Sequence, residues 1–193
     1  MDVQIEALVV APRHRMAGRP RDGLAPAVGP EHPTTAQVRA HLGIVGDRYF
    51  GTRSARASVT MIAAENIEDL ERDLGDTLFG PTSFDPVLAR RNLVVRGFDV
   101  DALVRCSFTL DAVHGPIRFR SLTPASPCAW MNEVYTPGAH QALRGRAGIR
   151  CEPLDDGRIS VGPATITDIA PLALHELARP GGRAGEATRA PRP

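Results

Sequence analysis

Lysine is missing from this sequence altogether: all 23 basic side chains are arginine. A Schiff base to pyridoxal phosphate or to a carbonyl substrate needs a lysine amine, so covalent pyridoxal phosphate is excluded as a cofactor. A P-loop is excluded as well, because its lysine has no counterpart here. Cysteine is sparse. Cys106, Cys128 and Cys151 form neither a paired CxxC zinc site nor a disulfide framework, a usage that points to a reducing compartment. The six histidines, at 14, 32, 41, 114, 140 and 175, include no HExxH or HxxxH pair, so spacing offers no histidine-built metal site. No stretch reaches the ~18 apolar residues needed to span a bilayer, and the N-terminus lacks a charged segment followed by an apolar signal core. A surplus of one charge is lacking too: 23 basic against 22 acidic residues leave a net charge of +1, far from the basic excess of a nucleic-acid groove. The expectation is a soluble, cytoplasmic protein with neither membrane nor nucleic acid as partner.

The chain of 193 residues, 42% of them apolar, is long enough for one substantial core. Val3 to Val10 alternates and then runs apolar, as a strand entering a core does. Residues 12–33 hold five prolines and three glycines, which break both helix and central strand and predict a surface loop. Ser58 to Ile62 reads as a strand, followed by Ala63, Ile67, Leu70 and Leu74 at helical spacing with Gly75 as a stop. From Arg90 onward the pattern is short alternating segments between turn residues, the signature of a compact β-barrel or sandwich. Cys106, Phe108 and Leu110 share one face, and Ile117 and Phe119 share another with Arg118 and Arg120 opposite. Ile149 alternates with Cys151, Asp155-Asp156-Gly157 supplies a turn, and Ile159 with Val161 begins the return strand. No repeat of 20 to 50 residues occurs, so a solenoid is not expected. Residues 179–193 carry four arginines, three prolines and three glycines without a bulky apolar side chain, and burial there cannot offset ordering entropy. A domain over 1–170 with a C-terminal extension over 171–193, disordered from about 179, follows.

Three segments carry candidate chemistry. Cys106 and Cys151 are in phase with core positions and read as packing residues. Cys128 differs, lying in Ser126-Pro127-Cys128-Ala129-Trp130, where Ser126 and Pro127 read as the cap and first residue of a short helix through Val134. In a first helical turn, free amides favour a thiolate, which attacks electrophiles and binds soft metals. A half-buried cysteine beside Trp130 is the alternative. Arg90-Arg91-Asn92 precedes an apolar strand and offers two guanidinium forks to a phosphate or carboxylate, or simply a solvated strand end. Gly46-Asp47-Arg48 lies in a glycine-rich turn that either lets a ligand approach the backbone or braces the loop.

In this order, Gly46-Asp47-Arg48, Arg90-Arg91-Asn92 with Gly97, Pro127-Cys128, and Pro137-Gly138 to Leu143-Arg144-Gly145, the chain resembles a MOSC domain, the module at the C-terminus of molybdenum cofactor sulfurases and in small stand-alone proteins. The resemblance spans roughly residues 3 to 169. It implies a mostly β, barrel-like fold with a few short peripheral helices and a functional cysteine, Cys128, as ligand to the metal of a molybdenum cofactor or as carrier of a persulfide. It further implies a cofactor site that includes Asp47, Arg48, Arg90, Arg91 and Asn92, the latter three placed by their charge near the pterin phosphate. Some relatives reduce N-hydroxylated compounds; a sulfur carrier and a non-catalytic cofactor-binding module are the other readings. A small-molecule substrate is implied, and an electron-donor or sulfur-donor protein as partner. Pro163 after Val161-Gly162 departs from the Gly-Asp with which relatives often close the barrel.

Overall fold

The computed structural model describes residues 1–52, 57–75 and 83–178. The extension expected to stay disordered, residues 179–193, lies outside them. Ten strands are found among the described residues: β1 (Asp2–Leu8), β2 (Thr35–Arg39), β3 (Gly43–Ile44), β4 (Val59–Ala63), β5 (Leu93–Arg96), β6 (Cys106–Asp111), β7 (Pro116–Pro124), β8 (Ile149–Pro153), β9 (Gly157–Ser160) and β10 (Gly162–Pro171). Four short helices accompany them: α1 (Ala64–Leu74), α2 (Trp130–Val134), α3 (Ala139–Ala142) and α4 (Leu174–Ala178). None of these helices is long and apolar enough to cross a membrane.

Seven strands close a barrel in the order β1-β10-β6-β7-β8-β4-β5, and closure leaves no unpaired edge. Two-residue alternation fills the interior. On β7, Ile117 and Phe119 point inward while Arg118 and Arg120 point out, and Phe119 stacks on Phe108 of β6 with centroids 5.5 Å apart. β4 and β5 run parallel, joined through α1, and both are buried on two faces. Met61, Leu93 and Val95 enter the barrel core; Ile62 and Val94 enter a second, outer core with Ile67 and Leu70 of α1 and with Trp130 and Met131. Strands sandwiched in this way read as continuous apolar runs, as Val59–Ala63 does. Pro163 lies in β10 opposite Gln4 of β1, at the strand's start, where a missing amide is tolerated.

Three expectations need correction. The turn at Asp155-Asp156-Gly157 does not fold β9 back on β8. Both edges of β8 are occupied, by β4 and β7, so the returning chain pairs with the free edge of β2 and builds a separate sheet, β3-β2-β9. The turn is held by its own carboxylates: Asp155 accepts from the Arg118 main-chain amide and guanidinium, and Asp156 from the Ala40 amide and from Arg39. Secondly, Cys106 is not a core residue. It is half-buried at the first position of β6, its sulfur near the carbonyls of Ala102 and Val104, whereas Cys151 is fully buried. Thirdly, the helix after Pro127 starts later than its cap residues suggest, with consequences for Cys128 described next. The prolines and glycines of residues 12–33 do form a loop, with only a single 3-10 turn at Pro20–Asp22.

Candidate functional site

One open cavity of about 160 Å3 gathers residues from five distant parts of the chain. The proline-rich loop contributes His14, Arg15 and Met16; the turn after β3 contributes Arg48 and Tyr49. Ala89, Arg90 and Arg91 come from the approach to β5, Ser126 and Cys128 from the segment between β7 and α2 with Met131 just inside α2, and Arg150 from β8. Five arginines thus share a wall with one cysteine.

Each arginine is held differently. Arg90 caps the 3-10 turn Pro86–Ala89 in the left-handed region, φ 58°, a conformation uncommon for a residue with a side chain. It is buried and donates two hydrogen bonds to Glu31, at 2.7 and 3.1 Å, the planar bidentate geometry that guanidinium favours. Glu31, buried at 4% exposure, also accepts from Arg15 at 3.0 Å. Hydrogen bonding from Arg90, then from Arg15, holds the Glu31 carboxyl below its ordinary range despite the opposing effect of burial. The backbone reversal at Arg90 sends Arg91 elsewhere: it donates to the carbonyls of Ala147 at 3.0 Å and Ser126 at 3.2 Å, tying the start of β8 to the cysteine segment. Burial, aided by the nearby Arg150 cation, lowers the Arg91 pKa to about 10, with the Cys128 charge acting in the opposite direction. It remains a cation at neutral pH.

Arg48 lies 4.6 Å over the Tyr49 ring and 3.9 Å from Asp47, and its Nε is buried with no hydrogen-bond partner among the described residues. Arg150 is exposed and has no ion pair among the described residues. Two carboxylates, Glu31 and Asp47, stand against five guanidinium groups, so the cavity is positively charged. His14 feels it: burial, then Arg48 and Arg90, lower its pKa, leaving the imidazole neutral at pH 7.

Cys128 is exposed at this cavity, which decides against a half-buried cysteine beside Trp130. Its position is fixed from the backbone. Ala125 donates to Gly148 O at 2.7 Å, the Ser126 carbonyl is taken by Arg91, and Cys128 O accepts from Met131 N at 2.9 Å. The helix begins only at Trp130, with Ala129 as its N-cap, and spans five residues. Ser126 is therefore not the cap, and Cys128 precedes the helix instead of lying in its first turn. The charge around the sulfur comes from arginines, not from a helix dipole.

Of the residues singled out in the sequence, Arg48, Arg90, Arg91 and Cys128 meet at the cavity, and two others stand behind it. Asn92 is 3% exposed and spends its side chain internally, accepting from Thr60 N and Thr60 Oγ1 at 2.9 Å each and donating to Val9 O at 2.9 Å and Asp47 Oδ2 at 3.1 Å. Asp47, equally buried, also accepts from the amides of Ala11 and Tyr49. Together they fasten β4, β5 and the end of β1 to the turn that carries Arg48. His14, Arg15, Glu31 and Arg150 were not singled out. Glu31 shares its loop with four arginines and a single other acid, Asp22, a charge pattern that invites a pairing without naming the partner, and Arg150 alternates with the core residues Ile149 and Cys151 on β8 as an outward residue does.

The MOSC domain model matches residues 38–165, more than half of the chain. The chain belongs to the MOSC family. Among solved structures, this MOSC fold is similar to the YuaD protein from Bacillus subtilis, with a TM-score of 0.65 and 16% identity over 85% of this chain and 94% of that one. YiiM from Geobacillus stearothermophilus has a TM-score of 0.55 and 14% identity, covering 86% and 75% of the two chains. For YiiM from Escherichia coli the values are 0.53 and 16%, covering 86% and 70%. At these identities the likeness concerns the fold alone. No curated protein sequence matches the chain.

Proposed function

We propose that this MOSC domain, spanning residues 1–170, binds a molybdenum cofactor in the arginine-walled cavity, with Cys128 as sulfur ligand to the metal, and acts in the reduction of N-hydroxylated compounds. The observation that carries this reading is the meeting of an exposed cysteine with five arginines, one bearing an orphaned buried Nε, in one cavity. The donor set fits the group. A thiolate is a soft ligand suited to a metal already coordinated by dithiolene sulfur, and an anionic phosphate needs fixed positive charge. When bound, the cofactor supplies two-electron redox chemistry at the metal.

The chain's own residues hold and shield. Arg48, whose Nε is left without a hydrogen-bond partner, and Arg150, which has no ion pair among the described residues, offer guanidinium donors to an anion, and Arg90 adds charge while Glu31 keeps it in place. Arg91 keeps the Cys128 segment at its distance from β8. Met16 and Met131 line the same cavity with thioethers that adapt to irregular shapes and exclude water. Conversion of an N-hydroxylated amine to the amine consumes two electrons and two protons and releases water. The sequence has no ferredoxin-type cysteine cluster and no dinucleotide-binding glycine motif, so the electrons come from another protein. Thiols persist in the cytoplasm, where this chemistry would operate.

Exposure of Cys128 also favours a second reading, a sulfur carrier that accepts sulfane sulfur from a donor protein as a persulfide. Metal analysis of protein purified anaerobically from a molybdenum-replete host separates the two. Wild type should hold close to one molybdenum per chain, and Cys128→Ser at least tenfold less. Wild type without metal, but with a mass gain of about 32 Da on Cys128 after incubation with a desulfurase and cysteine, overturns the cofactor reading in favour of the carrier.

A further inference from the structure

The backbone that holds Cys128 leads back to one buried dipeptide, Ala147-Gly148, immediately before β8. Gly148 O accepts from Ala125 N at 2.7 Å. Ala147 O accepts from Arg91 Nε at 3.0 Å, and the same guanidinium reaches Ser126 O at 3.2 Å. Arg150 follows Gly148 by two positions and lines the cavity. The dipeptide thus holds the cysteine segment and two of the cavity's cations in one frame.

A carboxylate fixes that dipeptide. Gly148 has a φ of 87°, and a Cβ there would collide with the Met61 carbonyl of β4, so its backbone lies against the barrel wall. Its amide donates to Asp101 Oδ1 at 3.0 Å, from the 3-10 turn Val100–Leu103, while Asp101 Oδ2 accepts from Asn66 Nδ2 of α1 at 2.7 Å. A buried amide needs an acceptor, yet a carboxylate is a costly one: burial raises the Asp101 pKa, against the hydrogen bonds from Asn66 and Gly148. What a carboxylate adds is its second oxygen, which ties α1 and the entry to β8 to a single group.

We propose that Asp101, which does not itself line the cavity, is a positioning residue for it: through Gly148 it sets the Cys128 sulfur at its place among the arginines. The proposal rests on the reading of Cys128 as the working sulfur, whether as metal ligand or as persulfide carrier. Without the carboxylate, Gly148 N loses its acceptor, residues 147 and 148 loosen, and Cys128 drifts relative to Arg91 and Arg150.

The test compares two alkylating reagents on the metal-free full chain, anionic iodoacetate and neutral iodoacetamide. Both attack the same thiolate, so the ratio of their rates at Cys128, read by peptide mass mapping, reports the positive potential at the sulfur and is independent of the thiol's ionisation. In wild type at low salt the ratio should exceed that of the urea-unfolded chain by about threefold or more, and salt should lower it. In Asp101→Ala it should fall most of the way to the unfolded value while circular dichroism shows a folded chain. Asp101→Asn should restore it, because its oxygen still accepts from Gly148 and Asn66 can turn its own amide to match. A role in stability alone would lower the denaturation midpoint and leave the ratio of the folded chain unmoved. If the alanine variant does not fold, Asn66→Ala, which removes the α1 support and spares the bond to Gly148, should lower the ratio part-way. A wild-type ratio equal to the unfolded one, or an unchanged ratio in the folded Asp101→Ala or Asn66→Ala variant, overturns the proposal. The expected ratios in a chain that never holds molybdenum uphold it while overturning the cofactor reading.

Discussion

Replacing Asn92 by alanine distinguishes a brace from a ligand-binding residue. The amide is buried and makes four side-chain hydrogen bonds, two accepted from Thr60 and one donated to each of Val9 O and Asp47 Oδ2. Alanine leaves two buried main-chain groups, Thr60 N and Val9 O, without these partners. Asp47 Oδ2 keeps the Ala11 amide, and Thr60 Oγ1 keeps the Asn92 amide. At ~1–3 kcal/mol for each of the two orphaned groups, the loss comes to about 2–6 kcal/mol, a large share of the ~5–15 kcal/mol that a domain has. Urea denaturation followed by the fluorescence of Trp130, the only tryptophan and a buried one, reads it directly. Asn92→Asp keeps the shape but sets a second carboxylate against Asp47 and removes the donor to Val9. It should be less stable than the alanine variant at neutral pH and recover part of the deficit on acidification. A stability loss under ~1 kcal/mol in Asn92→Ala, together with loss of molybdenum, would refute the reasoning and assign the amide to the ligand.

Glu31→Gln removes the charge from a buried cluster that holds two cavity arginines, and breaking such a pair costs about 3–5 kcal/mol, toward the lower end because glutamine still accepts a hydrogen bond. The Glu31 carboxyl is depressed by Arg90 and Arg15, so its stabilisation is fully present above the unfolded pKa of 4.5 and is lost as pH falls through the lower folded value. The stability gap between wild type and Glu31→Gln should therefore be constant above about pH 5 and close below 4.5; a gap that widens on acidification contradicts the pairing. Iodoacetamide at neutral pH should modify Cys128 first and the half-buried Cys106 more slowly. Cys151 is fully enclosed, and burial pushes its thiol far above the ordinary range, so it should react only on unfolding. Peptide mass mapping over time checks the order, and native labelling of Cys151 at the rate of Cys128 would contradict it.

The barrel was legible because its information is local. Alternation on β7, with Ile117 and Phe119 against Arg118 and Arg120, sets which face is inside without reference to any other strand. The helix over Ala64–Leu74 announces itself by spacing in the same way. What local pattern cannot carry is partner choice. The turn at Asp155-Asp156-Gly157 was readable as a turn, yet whether β9 returns to β8 or joins β2 depends on which edges other strands have already filled. Cys106 misled for a related reason: it is in register with Phe108 and Leu110, but it opens its strand, where the barrel wall no longer covers it.

The site shows the same division more sharply, because an arginine's role depends on where its carboxylate lies. Arg90 and Arg91 are adjacent in sequence and chemically identical, yet the first is locked to an acid 59 residues earlier and the second to carbonyls 35 and 56 residues later. Neither separation leaves a mark in the nine residues around them. Cys128 could be found because two prolines and a helix start mark it locally, although the reason first given for its reactivity, a helix dipole, fails on a five-residue helix that begins beyond it. What replaces that reason is a surplus that only the folded chain reveals. An even total of acids and bases becomes a positive cavity once most acids are drawn elsewhere and only Glu31 and Asp47 are set against the five cavity arginines. If the charge had been spread as evenly in space as it is in composition, Cys128 would be an exposed thiol on an ordinary surface, with nothing beside it to hold an anion.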